Sequence, residues 1–361
     1  MQIGIVGLPF SGKSTLFQAI TRTHLDSAAL ARAEAHHGVV KVPDSRLEKL
    51  TQIFSPKRTV HAAIEFVDVI GLKKGESGST QFTTNFLGNV KNNDALVQVV
   101  RVFTDDAVAH PDGSVDMMRD ISTFETEFIL ADLAMLETRI DRVKKQLLKT
   151  QEDLLKRELP LLEKCHHILE QEKPLRNEPF SKEELHLLKT YQLLTLKPML
   201  IALNLDESQQ GIAAEATAKV AAKKTGHQTK VLSFFGKIDM EMSELSEDEA
   251  RTFMAEYGIK ESALDTLIRE AYLLLGLQSF FTVGEDECRA WTVRKGMNAQ
   301  ESAGVIHSDF FNKFIRAEVV HYDDFVMHGG SFAKAKETGH WRLEGKEYIV
   351  KDGDIISVRH S

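Results

Sequence analysis

The chain has 361 residues, 42% of them hydrophobic, which allows two or three domains with their own cores and excludes a disordered or small disulfide-stapled protein. A formal net charge of -8 disfavours a generally basic nucleic-acid coat, and we expect no DNA partner, although a local basic face can still bind RNA. The two distant cysteines, Cys165 and Cys288, are typical of reduced thiols. The chain starts without a secretion signal and has no run of eighteen uncharged apolar residues, so we expect a cytoplasmic protein with no membrane partner.

Short apolar runs alternate with polar or helical stretches through the first 105 residues, and the alternation returns after residue 197. Buried parallel strands separated by helices produce this pattern, so we predict a parallel α/β sheet. The predicted strands are residues 3–6, 62–67, 95–102, 198–204 and 230–233, and a helix is predicted over 263–275. The resulting nucleotide-binding domain is split in sequence, over residues 1–120 and 197–277.

A Gly-x4-Gly-Lys-Ser pattern follows the first predicted strand and leads into a helix-forming run. In this context it predicts a P-loop, whose glycines let backbone N–H groups point at phosphates while the helix start adds its positive dipole end. Lys13 is expected to act on the β and γ oxygens, and the Ser14 hydroxyl is expected to ligate Mg²⁺. The predicted nucleotide-binding residues are Gly7, Leu8, Pro9, Phe10, Ser11, Gly12, Lys13, Ser14 and Thr15.

A second phosphate-side element, Asp68-Val69-Ile70-Gly71, follows another apolar strand. Asp68 is expected to hold Mg²⁺ through water, and the Gly71 N–H is expected to meet the γ-phosphate. This short pattern is common by chance, and its position after a strand is what favours the functional interpretation. The next residue is Leu72, where many GTPases carry a glutamine that orients the attacking water, so another group must position that water.

A helical insertion is predicted between the two parts of the α/β domain. From Leu133 the apolar residues follow a 3-4 spacing, at Leu133, Leu136, Ile140, Val143, Leu147 and Leu154. We predict that Pro160 interrupts this helix, that residues 174–179 form a loop, and that a capping box at Ser181 and Glu184 starts a return helix through Leu196. The predicted hairpin domain covers residues 121–196, and its seam is expected to pack against itself rather than to form a partner groove.

The fourth predicted strand ends in Asn204-Leu205-Asp206-Glu207, where GTPases carry the Asn-Lys-x-Asp motif that reads guanine. Glu207 stands in place of the final Asp, and Leu205 in place of the Lys that packs under the base, so guanine loses its usual partner. A capped strand end without a special role is the alternative interpretation. The segment Ser233-Phe234-Phe235 follows the next strand and is predicted to form the remaining wall of the base pocket.

The tail is rich in aromatic and β-branched residues, and a separate α+β domain is predicted over residues 278–361. A turn at Asp352-Gly353 is predicted to join strands at residues 347–350 and 355–358. A cluster of basic and aromatic residues suits an RNA contact, and a solvated face around one core tryptophan explains it equally well. The cluster consists of Arg289, Trp291, Arg294 and Lys295.

These motifs and their order resemble the YchF family, the Obg-like ATPases, over nearly the whole chain. Residues 204–207 match the family's NxxE motif and residues 68–75 its DxxGLxKG segment. The tail is similar to its TGS domain at residues 289–293 (RAWTV), 303–307 (AGVIH), 314–319 (FIRAEV) and 341–345 (WRLEG).

The resemblance implies an α/β fold, a Ras-like P-loop G domain with an inserted α-helical coiled-coil hairpin and a C-terminal α+β TGS domain. It implies a Mg²⁺-dependent triphosphatase that accepts ATP and GTP, often prefers ATP and associates with ribosomes. It also implies that His110, which aligns with a histidine in a mobile loop of the family, takes part in hydrolysis. A polar group is needed because the apolar Leu72 cannot hydrogen-bond the attacking water. A neutral imidazole can accept a hydrogen bond from that water.

Two positions depart from the family pattern. Phe10 replaces an asparagine, and the best alignment puts Arg32 where the family has a threonine that completes Mg²⁺ coordination. A guanidinium has no acceptor for this purpose, so binding is expected to survive while turnover is in question.

Three functions follow from the sequence. The leading hypothesis is a slow ATPase that tolerates GTP and acts as a ribosome-associated switch. The alternative is a nucleotide-binding ribosome or RNA adaptor with little or no hydrolysis. A small-molecule kinase is disfavoured because the inserted region is not an Arg-rich lid.

Overall fold

The computed structural model describes residues 1–23, 35–69, 73–74, 80–150, 152–224, 226, 228–256 and 261–361. The chain divides into two compact units. The first contains Met1–Gly38 and Glu65–Leu274, and the second contains Val39–Ile64 and Leu275–Ser361.

A six-stranded sheet forms the centre of the first unit, in the order β2-β4-β1-β7-β8-β9. Its strands are β1 (Gln2–Gly7), β2 (His36–Lys41), β4 (Ala63–Asp68), β7 (Ala95–Arg101), β8 (Met199–Asn204) and β9 (Thr229–Phe234). The pairs β1/β4, β1/β7, β7/β8 and β8/β9 are all parallel. The predicted parallel α/β sheet is therefore confirmed. The edge of this sheet where β1, β4, β7 and β8 end carries the predicted phosphate and base motifs.

Helices connect these strands. They are α1 (Lys13–Thr21), α3 (Thr84–Lys91), α7 (Ala213–Lys223), α8 (Gly236–Glu244), α9 (Glu247–Glu256) and α10 (Ala263–Leu274). A short 3-10 helix, Glu207–Ile212, precedes α7, and two-residue strands β5 (Lys73–Lys74) and β6 (Thr80–Gln81) form a small antiparallel ladder. Apolar side chains of the strands pack against helices in a core that includes Val6, Phe86, Leu96, Phe124 and Leu203. The helix predicted over residues 263–275 is confirmed as α10.

The inserted region contains two long helices, α4 (Met117–Leu147) and α5 (Asp153–Glu170). The helix α4 begins well before the heptad pattern because Asp116 caps it, accepting hydrogen bonds from the N–H groups of Met118 and Arg119 at 3.0 and 3.1 Å. The prediction that Pro160 interrupts the helix is wrong, because Pro160 lies inside α5 and the chain turns between α4 and α5 instead.

The return helix was also predicted too long. The capping box at Ser181 and Glu184 is confirmed, but it starts only the short α6 (Lys182–Leu188). Two single-turn 3-10 helices, Leu175–Asn177 and Lys189–Tyr191, flank it. The second long arm is α5, whose apolar face packs on α4.

The predicted apolar seam packs within the insertion, as expected. Leu136, Ile140 and Val143 are buried together with Leu162 and Cys165. Leu154, the last predicted seam residue, is exposed, since the register of α5 buries Leu155 instead. Both cysteines are free and buried.

The second unit has its own six-stranded sheet, in the order β13-β12-β14-β10-β11-β3. Its strands are β3 (Arg58–Val60), β10 (Leu277–Thr282), β11 (Glu287–Arg294), β12 (Phe314–His321), β13 (Arg342–Glu344) and β14 (Asp354–His360). Its helices are α2 (Ser45–Phe54), α11 (Ala299–Ile306), α12 (Ser308–Asn312), α13 (Tyr322–Met327) and α14 (Phe332–Glu337).

The boundaries of this unit differ from those expected from sequence. Residues 39–64 belong to it rather than to the nucleotide-binding part, because β3 pairs in parallel with β11 at the sheet edge. The predicted hairpin around Asp352-Gly353 is wrong, because residues 347–350 form no strand and contribute only one isolated bridge, Asn298 to Ile349. β14 pairs instead with β12 and β10.

Candidate functional site: a phosphate loop beside an open cleft

The phosphate loop connects the end of β1 to the start of α1, and its two glycines are required by close contacts. A Cβ atom at Gly7 would lie 2.7 Å from the carbonyl oxygen of Val99. Gly12 has a φ of 93°, and a Cβ there would lie 2.2 Å from Asn204 Nδ2. Only glycine fits both positions, so the loop can curl tightly against the sheet.

The residues between these glycines are held by a few hydrogen bonds. The Ser11 N–H donates to the Leu8 carbonyl at 3.2 Å, and Leu8 is buried in the core of the unit. Phe10 is the exception, because its φ of 64° lies in the left-handed region and its side chain is 63% exposed. A tight turn therefore occurs at a residue type that disfavours it.

Lys13, Ser14 and Asp68 meet at the mouth of the loop. The Ser14 hydroxyl donates to Asp68 Oδ2 at 2.9 Å. Burial lowers the pKa of Lys13, and the nearby Asp68 opposes that shift. Burial raises the pKa of Asp68, and the Lys13 charge and the Ser14 hydrogen bond oppose it. Two opposite charges that water solvates poorly are thus placed where a phosphate and its counter-ion would meet them.

The oxygen atoms at this point suit a divalent cation. Asp68 Oδ1 is buried and has no hydrogen-bond partner among the described residues. A carboxylate and a serine hydroxyl are hard oxygen ligands, which Mg²⁺ prefers. Ser14 and Asp68 therefore fit the predicted metal site.

Asn204 stands at the end of β8 and connects two parts of the site. Its Nδ2 donates to the Ser11 carbonyl at 3.0 Å, and its Oδ1 accepts from the Gly236 N–H at 3.1 Å. Both ends of the buried amide are engaged by backbone, so Asn204 holds the phosphate loop to the start of α8.

An open cleft of about 760 Å³ adjoins the phosphate loop. Its lining includes Gly12, Thr15, Asn204, Leu205 and Glu207, which brings predicted residues of both motifs into one cavity. The Asp206 side chain caps the 3-10 helix that begins at Glu207, accepting from the Ser208 N–H at 3.0 Å. The strand end is therefore capped and also faces a cavity.

Phe103 and Lys237 also line this cleft, and the sequence analysis did not single them out. Of the three predicted wall residues, Phe235 lines the cleft, whereas Ser233 and Phe234 lie within β9 and Phe234 is fully buried. The wall is formed by the residues just after the strand, because side chains within a strand point alternately toward the two faces of the sheet.

Arg101 organises the opposite wall. It ends β7, whose other residues are buried and, apart from Gln98, apolar, and its guanidinium donates to the carbonyls of Phe103 at 3.1 Å and Val108 at 2.8 Å. The guanidinium carbon also lies 4.4 Å from the centre of the Phe103 ring. One buried cation thus fixes the loop on this side of the cleft. A lone arginine at the end of a buried strand was the available sequence signal.

His110 is buried in this structure, with its side chain 3% exposed. It lines a small cavity together with Leu8, Pro9 and Ser11 of the phosphate loop. Its Nε2 lies 3.0 Å from Asp120 Oδ2. The ring is therefore next to the phosphate loop but turned into the protein.

Comparison with known proteins supplies the family. A family model described as "50S ribosome-binding GTPase" matches residues 2–131, and the model YchF-GTPase_C, described as a protein of unknown function, matches residues 277–361. The chain is 45% identical to the ribosome-binding ATPase YchF of Bacillus subtilis over 360 residues, covering 99% of this chain and 98% of the relative. The Haemophilus influenzae protein of that name is 41% identical over 360 residues, with the same coverage.

The chain belongs to the YchF family. The solved YchF GTPase of Schizosaccharomyces pombe superposes with a TM-score of 0.87 at 31% identity, covering 99% of this chain and 97% of that one. The Escherichia coli O157:H7 YchF is 40% identical over 358 residues, covering 98% of this chain and 97% of the relative. The expected family and fold class are thereby confirmed.

Three predicted YchF positions lie outside the described residues: Arg32, Gly71 and Leu72. Their expected roles stay predictions. Within the described ranges, no helix combines the length and the apolar character needed to span a membrane.

Proposed function

We propose that this chain is a Mg²⁺-dependent purine nucleoside triphosphatase that prefers ATP, tolerates GTP and acts as a ribosome-associated switch. The supporting observation is the meeting of Lys13, Ser14 and Asp68 at a glycine-bounded loop beside an open cleft. The named relatives are ribosome-binding ATPases, and the chain shares their full length.

The phosphates are proposed to bind along the loop backbone. N–H groups of the loop and of the first turn of α1 point at the anion, and Lys13 supplies the cation. Its partial desolvation strengthens this attraction, because buried charges interact through a lower effective dielectric constant. Ser14 and Asp68 would hold Mg²⁺, which neutralises phosphate charge when bound.

The preference for ATP follows from the base side of the cleft. A guanine-reading motif needs a carboxylate at the fourth position to accept from the base, and Glu207 occupies that position here with a longer side chain. Asn204 is held by backbone groups at both amide atoms, so its side chain is fixed at the wall of the cleft. The aromatic walls at Phe103 and Phe235 accept any purine.

The test is a titration of ATP, GTP and both diphosphates with Mg²⁺, followed by single-turnover hydrolysis under the same conditions. We expect ATP to bind at least as tightly as GTP, because loss of two charge-assisted hydrogen bonds of about 1.5 to 3 kcal/mol each removes most guanine preference. A Kd for GTP about a hundredfold below that for ATP would contradict the proposed preference.

The adaptor remains the second candidate, favoured by two observations. Phe10 strains the phosphate loop, and His110 is turned away from it. An adaptor binds nucleotide with the same affinity but shows no single-turnover hydrolysis, which the same experiment measures. Co-sedimentation with ribosomes in ATP, GTP and empty states tests the association, and a failure in all three states excludes it.

A further inference from the structure

The His110 ring has both of its nitrogens occupied. The Asp112 N–H donates to Nδ1 at 3.1 Å, so Nδ1 must carry the lone pair and Nε2 the hydrogen. Nε2 then donates to Asp120 Oδ2 at 3.0 Å. In this orientation the imidazole has no acceptor left for a water molecule.

Asp120 is itself held in place. It is buried in the first turn of α4, and its Oδ1 accepts from Arg119 Nε at 3.0 Å and Nη2 at 2.9 Å. Arg119 reaches back into the loop, where Nη1 donates to Ser114 Oγ at 3.1 Å. The two carboxylate oxygens therefore bind the histidine on one side and the arginine on the other.

This arrangement differs from two familiar uses of the same groups. In a catalytic His-carboxylate pair the carboxylate binds one ring nitrogen and leaves the other facing the substrate, whereas here the protein uses both. The ligand atoms of His110, Asp112 and Asp120 also lie within 4.8 Å of one another, as in a metal site. The Arg119 guanidinium lies 4.0 Å from Asp112 and is bonded to Asp120. It therefore already offsets the carboxylate charge that would bind a cation there.

We infer that Asp120, supported by Arg119, is a positioning residue that keeps His110 withdrawn from the phosphate site, and that release of this contact limits the rate of hydrolysis. The inference rests on the proposed ATPase function and on a role for His110 in it. His110 shares a cavity with Leu8, Pro9 and Ser11 of the phosphate loop. Only a short movement of the loop that carries His110 is therefore needed to bring the withdrawn ring to the phosphates. Triphosphate binding favours hydrolysis only to the extent that it favours the released state.

The test compares single-turnover ATP hydrolysis by Asp120→Asn and Asp120→Ala with that of the parent chain. Because the withdrawn state loses its charge-assisted bond, we expect a rate increase of about 5-fold or more, with ATP affinity changed by less than about 2-fold. The increase must vanish in the double variant with His110→Ala. The matched control is Asp141→Asn, an exposed acid on the same helix, which should leave the rate unchanged.

A rate that is unchanged or lower in a folded, ATP-binding Asp120 variant overturns the inference. A second measurement does not depend on variants or on activity: nitrogen-detected NMR of the histidine rings in the full parent chain. It should show His110 as the neutral Nε2–H tautomer, and an Nδ1–H tautomer or a doubly protonated ring contradicts the geometry. A parent that binds ATP without hydrolysing it refutes the proposed enzyme function, while the NMR result still decides where His110 is held.

Discussion

Phe10 has a left-handed backbone conformation, with a φ of 64°. A non-glycine residue in the left-handed region costs about 1 to 2 kcal/mol, and asparagine tolerates that region because its short polar side chain bonds locally. The family asparagine expected at this position thus has a conformational reason. Phe10 retains the turn, so the surrounding loop contacts outweigh its strain.

We predict that Phe10→Asn raises the free energy of unfolding by about 1 kcal/mol, because it relieves the strain while removing a mostly exposed ring. Urea denaturation measures the change. The control is Phe10→Ala, which removes the same ring but keeps a side chain that disfavours the left-handed region. Equal gains from both variants would show that the ring, rather than the backbone, is responsible.

The contribution of Lys13 to nucleotide binding can be tested with a single substitution. Lys13 is the cation of the phosphate loop, and its pKa is lowered by burial, so it is charged at neutral pH only against a desolvation penalty. We predict that Lys13→Ala weakens binding of ATP with Mg²⁺ by about 100-fold or more, since phosphate oxygens lose a charge-assisted partner. Calorimetry measures the loss, with Lys219→Ala on the exposed face of α7 as the control. Unchanged affinity for ATP would place the phosphates elsewhere.

At the scale of single elements, the helix α8 begins beside the cleft and carries a buried acid with a raised pKa, Asp239. The Phe235 N–H donates to Asp239 Oδ2 at 2.8 Å, and burial raises the pKa of Asp239 to about 6, helped by the negative charge of Asp265. The folded protein therefore holds this proton more tightly than the unfolded chain, whose aspartates titrate near 3.9. The contribution to stability is present below the unfolded pKa and is lost as pH rises from about 4 to 6.

We predict that Asp239→Asn stabilises the protein by about 1 to 2 kcal/mol at pH 7.5 and has little effect at pH 4, because asparagine keeps an acceptor for Phe235 without the buried charge. Urea denaturation at both pH values measures the difference between variant and parent. Asp141→Asn on α4 serves as an exposed control. A gain of the same size at both pH values would mean that repacking, not ionisation, stabilises the variant.

Elements with strong local signals were predictable from sequence. The strands β1, β7 and β8 are predominantly apolar, and the phosphate loop has fixed glycine positions, so these elements were predicted at their observed places. The predicted break at Pro160 failed because the apolar face of α5 packs on α4 and maintains the helix through the proline. Base-cleft residues such as Phe103 were missed because a buried arginine far from any motif sets their position.

Buried charged residues hold the helix α4 of the insertion in place, in addition to its apolar seam. Glu125 of α4 is buried and bonds both Arg176 and Lys224, and Arg176 Nε also donates to Thr229 Oγ1 at 3.2 Å. Asp132 accepts from the N–H groups of Leu194 and Thr195 at 3.0 and 2.8 Å. Separating buried charges from this many partners is costly, so the base of α4 is fixed within the first unit.

At the scale of the whole molecule, the chain passes between its two units three times, at residues 38/39, 64/65 and 274/275. Residues 39–64 leave the first unit and contribute α2 and β3 to the second. There Phe54 stacks on Phe325 with ring centres 5.8 Å apart, and Arg46 bonds Asp352 at 2.8 Å. Local sequence patterns carry no information about such long-range pairing, so the predicted tail domain began only at residue 278.

The consequence is a prediction about fragments. We expect that residues 275–361 alone do not fold cooperatively, because β11 loses its edge partner and the apolar side of α2, with Leu47 and Leu50 fully buried, is missing. Joining residues 39–64 to this fragment through a flexible linker should restore a single cooperative transition, measured by circular dichroism against urea. The matched control carries Leu47→Asp and Leu50→Asp in the joined segment, which keeps its length but places charges where α2 is buried. A cooperative transition for residues 275–361 alone would show that the second unit is complete without the crossing segment, and that α2 and β3 only cover a domain already stable by itself.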